Sequence, residues 1–168
     1  MEVKRIAGYL LFSLLIVLFL DGCAINNDET KDSSEDIFQY NGAVIGDNSA
    51  VINIIGQLPH NEKFKEVSLE TKNKPYGMSL TYDSLDVPEV GKEYKETAIT
   101  NATFLFTLVK NAEWITFHFE NQTYKITRFK LQDFYSKDLN EFTSQTELNA
   151  FVQEQLVNES KVSQLFVQ

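Results

Sequence analysis

Residues 46–59, Gly-Asp-Asn-Ser-Ala-Val-Ile-Asn-Ile-Ile-Gly-Gln-Leu-Pro, carry the clearest secondary-structure signal in this chain. The apolar residues are spaced i, i+3, i+4 and i+7, which is typical of one face of an amphipathic helix; they are Val51, Ile54, Ile55 and Leu58. Asp47 or Asn48 can accept hydrogen bonds from the free N–H groups of the first turn, and Pro59 stops the helix. We therefore expect a helix between these two signals.

A β-hairpin is predicted directly after this helix. Residues 64–71 alternate between polar and apolar side chains at Val67 and Leu69, which is typical of a half-buried strand. Residues 72–77, Lys-Asn-Lys-Pro-Tyr-Gly, have the composition of a turn, and residues 78–82 return as the partner strand. This part of the chain therefore predicts one helix followed by two antiparallel strands.

The second half of the chain repeats this order about fifty residues later. Residues 98–111 carry apolar side chains around much of a helical circumference, which indicates a strongly buried helix. Strands over 113–119 and 123–128 follow, and residues 83–92 are predicted to form a loop. Two αββ units of this kind predict an α+β fold with a mainly antiparallel sheet and helices on one face.

The C-terminal third predicts further helical structure. Residues 129–135 form a short helix or turn, and Ser144-Gln145-Thr146-Glu147 is a capping box that opens a C-terminal helix. Apolar residues on one face of that helix are Leu148, Phe151, Val152 and Leu156. The last ten residues are too apolar for a free tail, and we expect them to dock as an edge strand or an extra turn.

The N-terminus has the three parts of an export signal. Two basic residues precede the apolar run Ile6–Leu20, whose fifteen residues span about 22 Å as a helix, too short for a membrane core of about 30 Å. Cys23 follows three residues later, which is typical of a lipoprotein signal peptide over residues 1–22 with lipid attached to the Cys23 thiol. Asp21 departs from the small or apolar residue usual at its position. The alternatives are an uncleaved signal anchor and secretion.

This signal predicts the location and the division of the chain. Acylated Cys23 would anchor the protein in the lipid bilayer, at the outer face of the cytoplasmic membrane. Residues 23–35 comprise the lipidated cysteine and a polar, flexible tether, because residues 24–35 have too few apolar side chains to offset the entropy of ordering. Residues 36–168 are predicted to form a single globular α+β domain.

Charge and cysteine content exclude several classes of function. The formal net charge of −9 argues against nucleic acid as a partner and against binding of anionic lipids by the domain face. Cys23 is the single cysteine, so no intramolecular disulfide can form and the domain must be stabilised by packing alone.

Residues with catalytic or metal-binding chemistry are sparse. His60 and His118 show neither HxH nor HxxxH spacing, and metal sites usually need three or four ligands. The sequence has no nucleophile-elbow motif and no phosphate-binding glycine loop. We therefore predict no enzyme activity, no metal and no cofactor. The alternative is a hydrolase of envelope polymers that uses paired carboxylates, drawn from the acidic residues Asp83, Asp86, Glu89, Glu93 and Glu96.

Two positions are candidates for partner binding. Tyr76, between Pro75 and Gly77 at the predicted hairpin tip, could recognise a partner, because loops on rigid scaffolds often carry binding residues. The simpler interpretation is that Pro-Tyr-Gly only makes the turn. Asp47 and Asn48 could present a helix N-terminus to an anion, although helix capping already explains both residues.

Several of these residues together resemble an uncharacterised domain family of Gram-positive bacteria. The resemblance spans roughly residues 36–135 and is most specific at Gly46-Asp47-Asn48-Ser49-x-Val51. The other matching residues are Asp36, Phe38, Tyr40, Ile54, Leu58, Pro59, Pro75, Tyr76, Gly77, Tyr82, Asn101, Ala102, Leu105, Phe106, Leu108, Asn111 and Ala112.

Members of that family are typically small lipoproteins, and the domain also occurs attached to membrane metallopeptidases similar to beta-lactam sensor-transducers. The resemblance implies a binding or sensing accessory domain with no catalytic residues. We therefore expect a non-catalytic lipoprotein domain that binds a protein or a component of the cell envelope. An inhibitor or immunity lipoprotein with an acidic binding face is a further alternative.

Overall fold

The computed structural model describes residues 36–85 and 87–166. Within these residues, five helices and four strands follow one another in the order αββαββααα. They are α1 (Asn48–Ile55), β1 (Phe64–Glu70), β2 (Gly77–Tyr82), α2 (Val90–Leu108), β3 (Trp114–Phe119), β4 (Gln122–Thr127), α3 (Arg128–Tyr135), α4 (Gln145–Leu156) and α5 (Glu159–Leu165). Short 3-10 turns lie at Ile37–Tyr40, Asn61–Lys63 and Leu139–Glu141.

The strands form a sheet in the order β1-β2-β3-β4. Both hairpins are antiparallel, as predicted, so the α+β fold with a mainly antiparallel sheet is confirmed. The central pair, β2 and β3, is parallel, which the expectation of hairpin connections did not include. The reason is α2, whose 19 residues extend about 28 Å and return the chain to the edge of the sheet where β2 began.

The hydrophobic core lies between one face of the sheet and the helices. Side chains of β2 and β3 on that face are fully or nearly buried, and they include Met78, Leu80, Ile115 and Phe117. Helix α2 packs against α1, α4, α5, β3 and β4, so every residue from Thr97 to Leu108 is buried. The predicted burial of this helix on most of its circumference is confirmed.

Helix α2 begins earlier than the sequence pattern indicated. It starts at Val90, so the predicted loop over 83–92 is too long, and it ends at Leu108 rather than at residue 111. Its first two turns have one buried side, at Tyr94 and Thr97, while Lys92 is exposed to solvent. These two turns are mostly polar, so the pattern of apolar residues around the helix does not extend into them.

The C-terminal third agrees with the sequence in outline. Ser144 Oγ accepts a hydrogen bond from Glu147 N (3.3 Å), as the capping box requires, but the Glu147 carboxylate accepts from Thr143 N (3.4 Å) instead of Ser144 N. Residues Glu159–Leu165 form α5 rather than an edge strand, and Val162 and Leu165 anchor α5 to the core. The predicted docking of this segment is therefore confirmed as a helix.

No helix in the described part of the chain is long and apolar enough to cross a membrane. The predicted signal peptide (1–22) and the lipidated cysteine with its tether (23–35) lie outside the described residues.

Candidate binding surface

A groove of about 660 Å³ lies beside the tip of the β1–β2 hairpin. It is lined by Lys74, Pro75 and Tyr76 of the hairpin tip and by Asn111 and Glu113 of the segment before β3. The half-buried Tyr76 ring lies 5.8 Å from Lys74 Nζ, measured to the ring centroid. The groove therefore combines an aromatic face with a cation, an anion and an amide.

The two walls of this groove are joined through backbone and side-chain hydrogen bonds. Glu113 N donates to the Tyr76 carbonyl oxygen (2.8 Å), and the Trp114 indole Nε1 donates to the Pro75 carbonyl oxygen (2.9 Å). The Trp114 ring also lies against Gly77, and Lys125 Nζ is 4.8 Å from its centroid. The hairpin tip is thus fixed to the sheet instead of projecting freely.

Arg128 holds the opposite wall of the groove. Its Nη2 donates to the carbonyl of Val109 (2.8 Å), the C-cap of α2, and its Nε donates to the Ala112 carbonyl (2.9 Å) in the segment before β3. Burial lowers the pKa of Arg128 from its usual value, yet a guanidinium stays charged in proteins. A cation here satisfies terminal carbonyl groups and interacts favourably with the dipole of α2.

Asp47 and Asn48 lie at the start of α1. Asp47 Oδ1 accepts from Ala50 N (3.0 Å), so the predicted capping role is confirmed for Asp47. Asn48 is the exposed first residue of α1. Ile45 N donates to Asn111 Oδ1 (2.7 Å), which links the loop before α1 to the groove wall. The residues that line the groove include Tyr76 but neither Asp47 nor Asn48.

A second groove, of about 410 Å³, lies at the other end of the central strands. It brings His118 near two acidic residues, Asp83 and Glu120. His118 Nδ1 is 3.2 Å from Thr123 Oγ1, and Asp83 forms an ion pair of 2.7 Å with Lys65. Between residues 36 and 166, with residue 86 excepted, no three His, Cys, Asp or Glu side chains are grouped so that they could hold a metal ion.

His60 lies in a different place, at the start of the 3-10 turn before β1. Its Nε2 is 2.9 Å from a Glu93 carboxylate oxygen, and its Nδ1 is 3.5 Å from Glu62. The backbone of His60 is left-handed, with φ of 60°. These contacts tie the turn to α2, which is a structural task.

Two carboxylates on α2 and α5 have pKa values shifted in opposite directions. Burial raises the pKa of Glu96, while the hydrogen bond and charge of Lys92 lower the pKa of Glu159. Such a divergence can mark an acid and base pair. Here Lys92 Nζ contacts Glu159 and lies 3.9 Å from Glu96, so a cation occupies the space between them. This arrangement is typical of an ion-pair network that holds two helices together.

The family comparison matches residues 37–131, more than half of the chain, to the family described as Domain of unknown function (DUF4825). This chain is a DUF4825 protein. The match confirms the resemblance to an uncharacterised domain family. No curated protein and no solved structure matches the chain.

The DUF4825 region contains every residue that lines the hairpin-tip groove, whereas α4 and α5 lie beyond it. Sequence reasoning selected Tyr76 but missed Lys74, Asn111, Glu113 and the supporting Trp114. The available signal was the single tryptophan of the chain at the start of a strand. Its contact with the Pro-Tyr-Gly turn depends on the parallel pairing of β2 and β3, which the sequence pattern did not indicate.

Proposed function

We propose that this DUF4825 protein is a membrane-anchored extracytoplasmic lipoprotein whose folded domain binds a protein or an envelope component without catalysing a reaction. The observation that carries the proposal is the hairpin-tip groove, where Tyr76 and four polar or apolar neighbours from two segments form one concave surface. Binding residues are often found on loops that a rigid scaffold positions.

The anchor is proposed from the sequence of the N-terminus. A basic, apolar and small-residue succession ending in the single cysteine is the pattern of a lipoprotein signal. The resemblance to Gram-positive lipoproteins and to domains attached to sensor-like metallopeptidases supports a sensing or accessory role at the outer face of the cytoplasmic membrane. A Cys23→Ala variant should then appear in the medium, whereas the unaltered chain should stay with the membrane fraction.

The groove supports binding more than hydrolysis. A glycoside hydrolase needs two carboxyl groups about 5–9.5 Å apart on either side of the reacting bond. One carboxylate, Glu113, lines the hairpin-tip groove. The second groove has two, Asp83 and Glu120, but Asp83 is already paired with Lys65. A bound partner, in contrast, requires only a shaped surface with an aromatic residue and a few polar groups.

The test uses Tyr76→Ala in the full lipidated chain. The side chain is half-buried, so its loss should lower stability by about 1 kcal/mol, because part of its apolar surface is removed from the folded state. The backbone hydrogen bond from Glu113 N to the Tyr76 carbonyl does not depend on the side chain. Partner capture from membranes should fall at least about tenfold, the usual effect of losing an aromatic anchor.

The matched control is Phe129→Ala, because Phe129 is 81 % exposed and lies outside the groove. Capture should be unchanged in that variant. Equal capture by the Tyr76 variant and the unaltered chain would contradict the proposal. Salt dependence separates the inhibitor or immunity alternative, since an acidic face that blocks a basic partner should release it as ionic strength rises.

A further inference from the structure

We propose that the open edge of β1 binds an extended, basic segment of a partner protein as an additional strand. The inference rests on the proposed binding function, but it uses a surface distinct from the hairpin-tip groove. An added strand gains main-chain hydrogen bonds from the edge and specificity from alternate side chains. Three features favour β1. It lies at the edge of the sheet, its inner face is only partly covered by helices, and its outer face is negatively charged.

Strand β1 ends the described sheet and pairs there with β2 on one side. An edge strand presents a row of backbone N–H and C=O groups to solvent. The opposite edge strand, β4, packs against α2 and α3, whereas β1 packs mainly against β2. Among the described strands, β1 is therefore the more open of the two edges.

The helices leave the inner face of β1 partly uncovered. Val67 and Leu69 on this face are half-buried, although their partners in register, Leu80 and Met78, are fully buried. Both residues remain packed against the core on one side. An added strand with apolar side chains opposite Val67 and Leu69 would cover this remaining apolar surface.

The outer face of β1 carries negative charge at both ends of its regular part. Glu66 and Glu70 are exposed, four residues apart, which is about 13 Å along a strand. The register of β1 shifts between Phe64 and Glu66, so the regular edge runs from Glu66 to Glu70. The neighbouring Lys65 forms its ion pair with Asp83, at 2.7 Å, and its attraction to Glu66 is weaker, so the edge keeps a negative charge.

The alternation of β1 therefore specifies its partner. Basic side chains should lie opposite Glu66 and Glu70, apolar side chains opposite Val67 and Leu69, and a small polar residue opposite Ser68. Cross-strand pairs of opposite charge and of apolar side chains stabilise such a pairing. The corresponding partner sequence is basic, apolar, small polar, apolar, basic.

A second copy of this chain fits the same edge poorly. Antiparallel pairing of two β1 strands about Ser68 places Glu66 of each copy opposite Glu70 of the other. Like charges directly opposite are destabilising. The net charge of −9 adds repulsion between the two copies. The acidic edge therefore favours a basic partner over self-association.

The experiment measures binding of the full chain to a labelled peptide that contains Lys-Val-Thr-Val-Lys, by fluorescence anisotropy at low salt. The control peptide contains Glu-Val-Thr-Val-Glu, and the matched variant is Glu66→Lys with Glu70→Lys. The unaltered chain should prefer the basic peptide by about tenfold, and the double variant should prefer the acidic peptide by about the same factor. The inference would be overturned if the unaltered chain and the double variant showed the same ratio of affinities for the basic and the acidic peptide.

A second peptide separates strand addition from simple charge attraction. Lys-Val-Pro-Val-Lys has the same charge, but proline removes a backbone donor and is poorly tolerated in a strand. It should bind at least about tenfold more weakly than the threonine peptide. Binding of equal strength would contradict an added strand. Hydrogen exchange should also slow at the amides of β1 when the threonine peptide binds, and protection elsewhere alone would count against it.

Failure of this inference differs from failure of the proposed function. Peptide binding at β1 should be unaffected by Tyr76→Ala, because the groove is a separate surface. If partner capture depends on Tyr76 while no basic peptide binds, the β1 inference is wrong and the binding function stands. If neither Tyr76 nor β1 affects any association, both are wrong.

Discussion

Trp114 and Gly77 lie directly opposite each other in the parallel pair of β2 and β3, and the indole occupies the space that a Cβ on residue 77 would need. A Cβ built there would lie 2.1 Å from Trp114 Cδ2. Contact this close requires glycine, and it lets the indole reach the Pro75 carbonyl at the hairpin tip. Gly77 therefore leaves room for the Trp114 indole, and the indole in turn holds the hairpin tip that lines the groove.

Gly77→Ala should displace the indole and lower the free energy of unfolding by about 1–3 kcal/mol, the usual cost of overpacking. Urea unfolding measures the loss, and the emission of the single tryptophan reports its displacement. Gly91→Ala is the matched control, because the nearest atom to a Cβ there is Gln122 Nε2 at 3.7 Å. That variant should be unchanged or more stable by up to about 1 kcal/mol, since alanine favours a helix. Equal stability of the two variants would contradict the close contact.

Asp47→Ala should destabilise the domain by about 1 kcal/mol, because the cap of α1 at Ala50 N is lost. Asn48→Ala should change stability by less than about 0.5 kcal/mol, since Asn48 is an exposed helical residue and alanine is a good helix former. Thermal unfolding of both variants makes the comparison. A larger loss for Asn48→Ala than for Asp47→Ala would show that the assigned capping residue is wrong.

Alkaline pH should destabilise the domain through Tyr82. Burial raises the pKa of Tyr82 from 10.0 to about 12, while its hydrogen bond from Asn101 Nδ2 (3.1 Å) opposes that rise. Because the folded pKa lies above the unfolded value, the contribution to stability is complete below pH 10 and is lost as the pH rises to about 12. A shift of this size corresponds to a loss of about 2–3 kcal/mol.

Tyr135 contributes in the same direction, because burial raises the pKa of its hydroxyl. Urea unfolding between pH 8 and 11 measures the slope, and Tyr82→Phe should reduce it relative to the unaltered chain. A slope that is the same in Tyr82→Phe and in the unaltered chain would contradict the role of Tyr82.

Removal of Lys92 should loosen α5 without unfolding the domain. Lys92 bonds Glu159 of α5 and lowers the pKa of that carboxyl, so the pair stabilises above the ordinary pKa of 4.5 and is lost as the pH falls through the lower, folded value. In Lys92→Ala, hydrogen exchange in α5 should become faster, while exchange in the sheet stays the same. The control is Lys95→Ala, because Lys95 is a neighbouring lysine on α2 that lies close to the same part of α5. Unchanged exchange in α5 would contradict the attachment by Lys92.

Helices and strands with one dominant hydrophobic periodicity could be predicted from the sequence. The spacing of Val51, Ile54, Ile55 and Leu58 predicted α1, and the alternation at Val67 and Leu69 predicted β1. Such a signal is local, because it follows from one element facing one core. The two αββ units could be predicted for the same reason.

The parallel pairing of β2 with β3 could not be predicted in this way, because it depends on how α2 crosses the sheet. The arrangement of the groove residues depends on the same pairing of β2 with β3. Tyr76 and Glu113 are adjacent only because β2 and β3 are paired, so a local pattern identified Tyr76 and missed Glu113. Arg128 was missed as well, because its partners are backbone carbonyls, which leave no trace in residue type.

The proposal that a tethered DUF4825 domain binds a partner at the hairpin tip can be tested by photocrosslinking in cells. A photoreactive phenylalanine analogue would replace Tyr76 in one lipidated chain and Val157, which is 83 % exposed and outside the groove, in another. We predict a discrete adduct from position 76 and none from position 157. The absence of an adduct at position 76, or the same adducts from both positions, would contradict the claim.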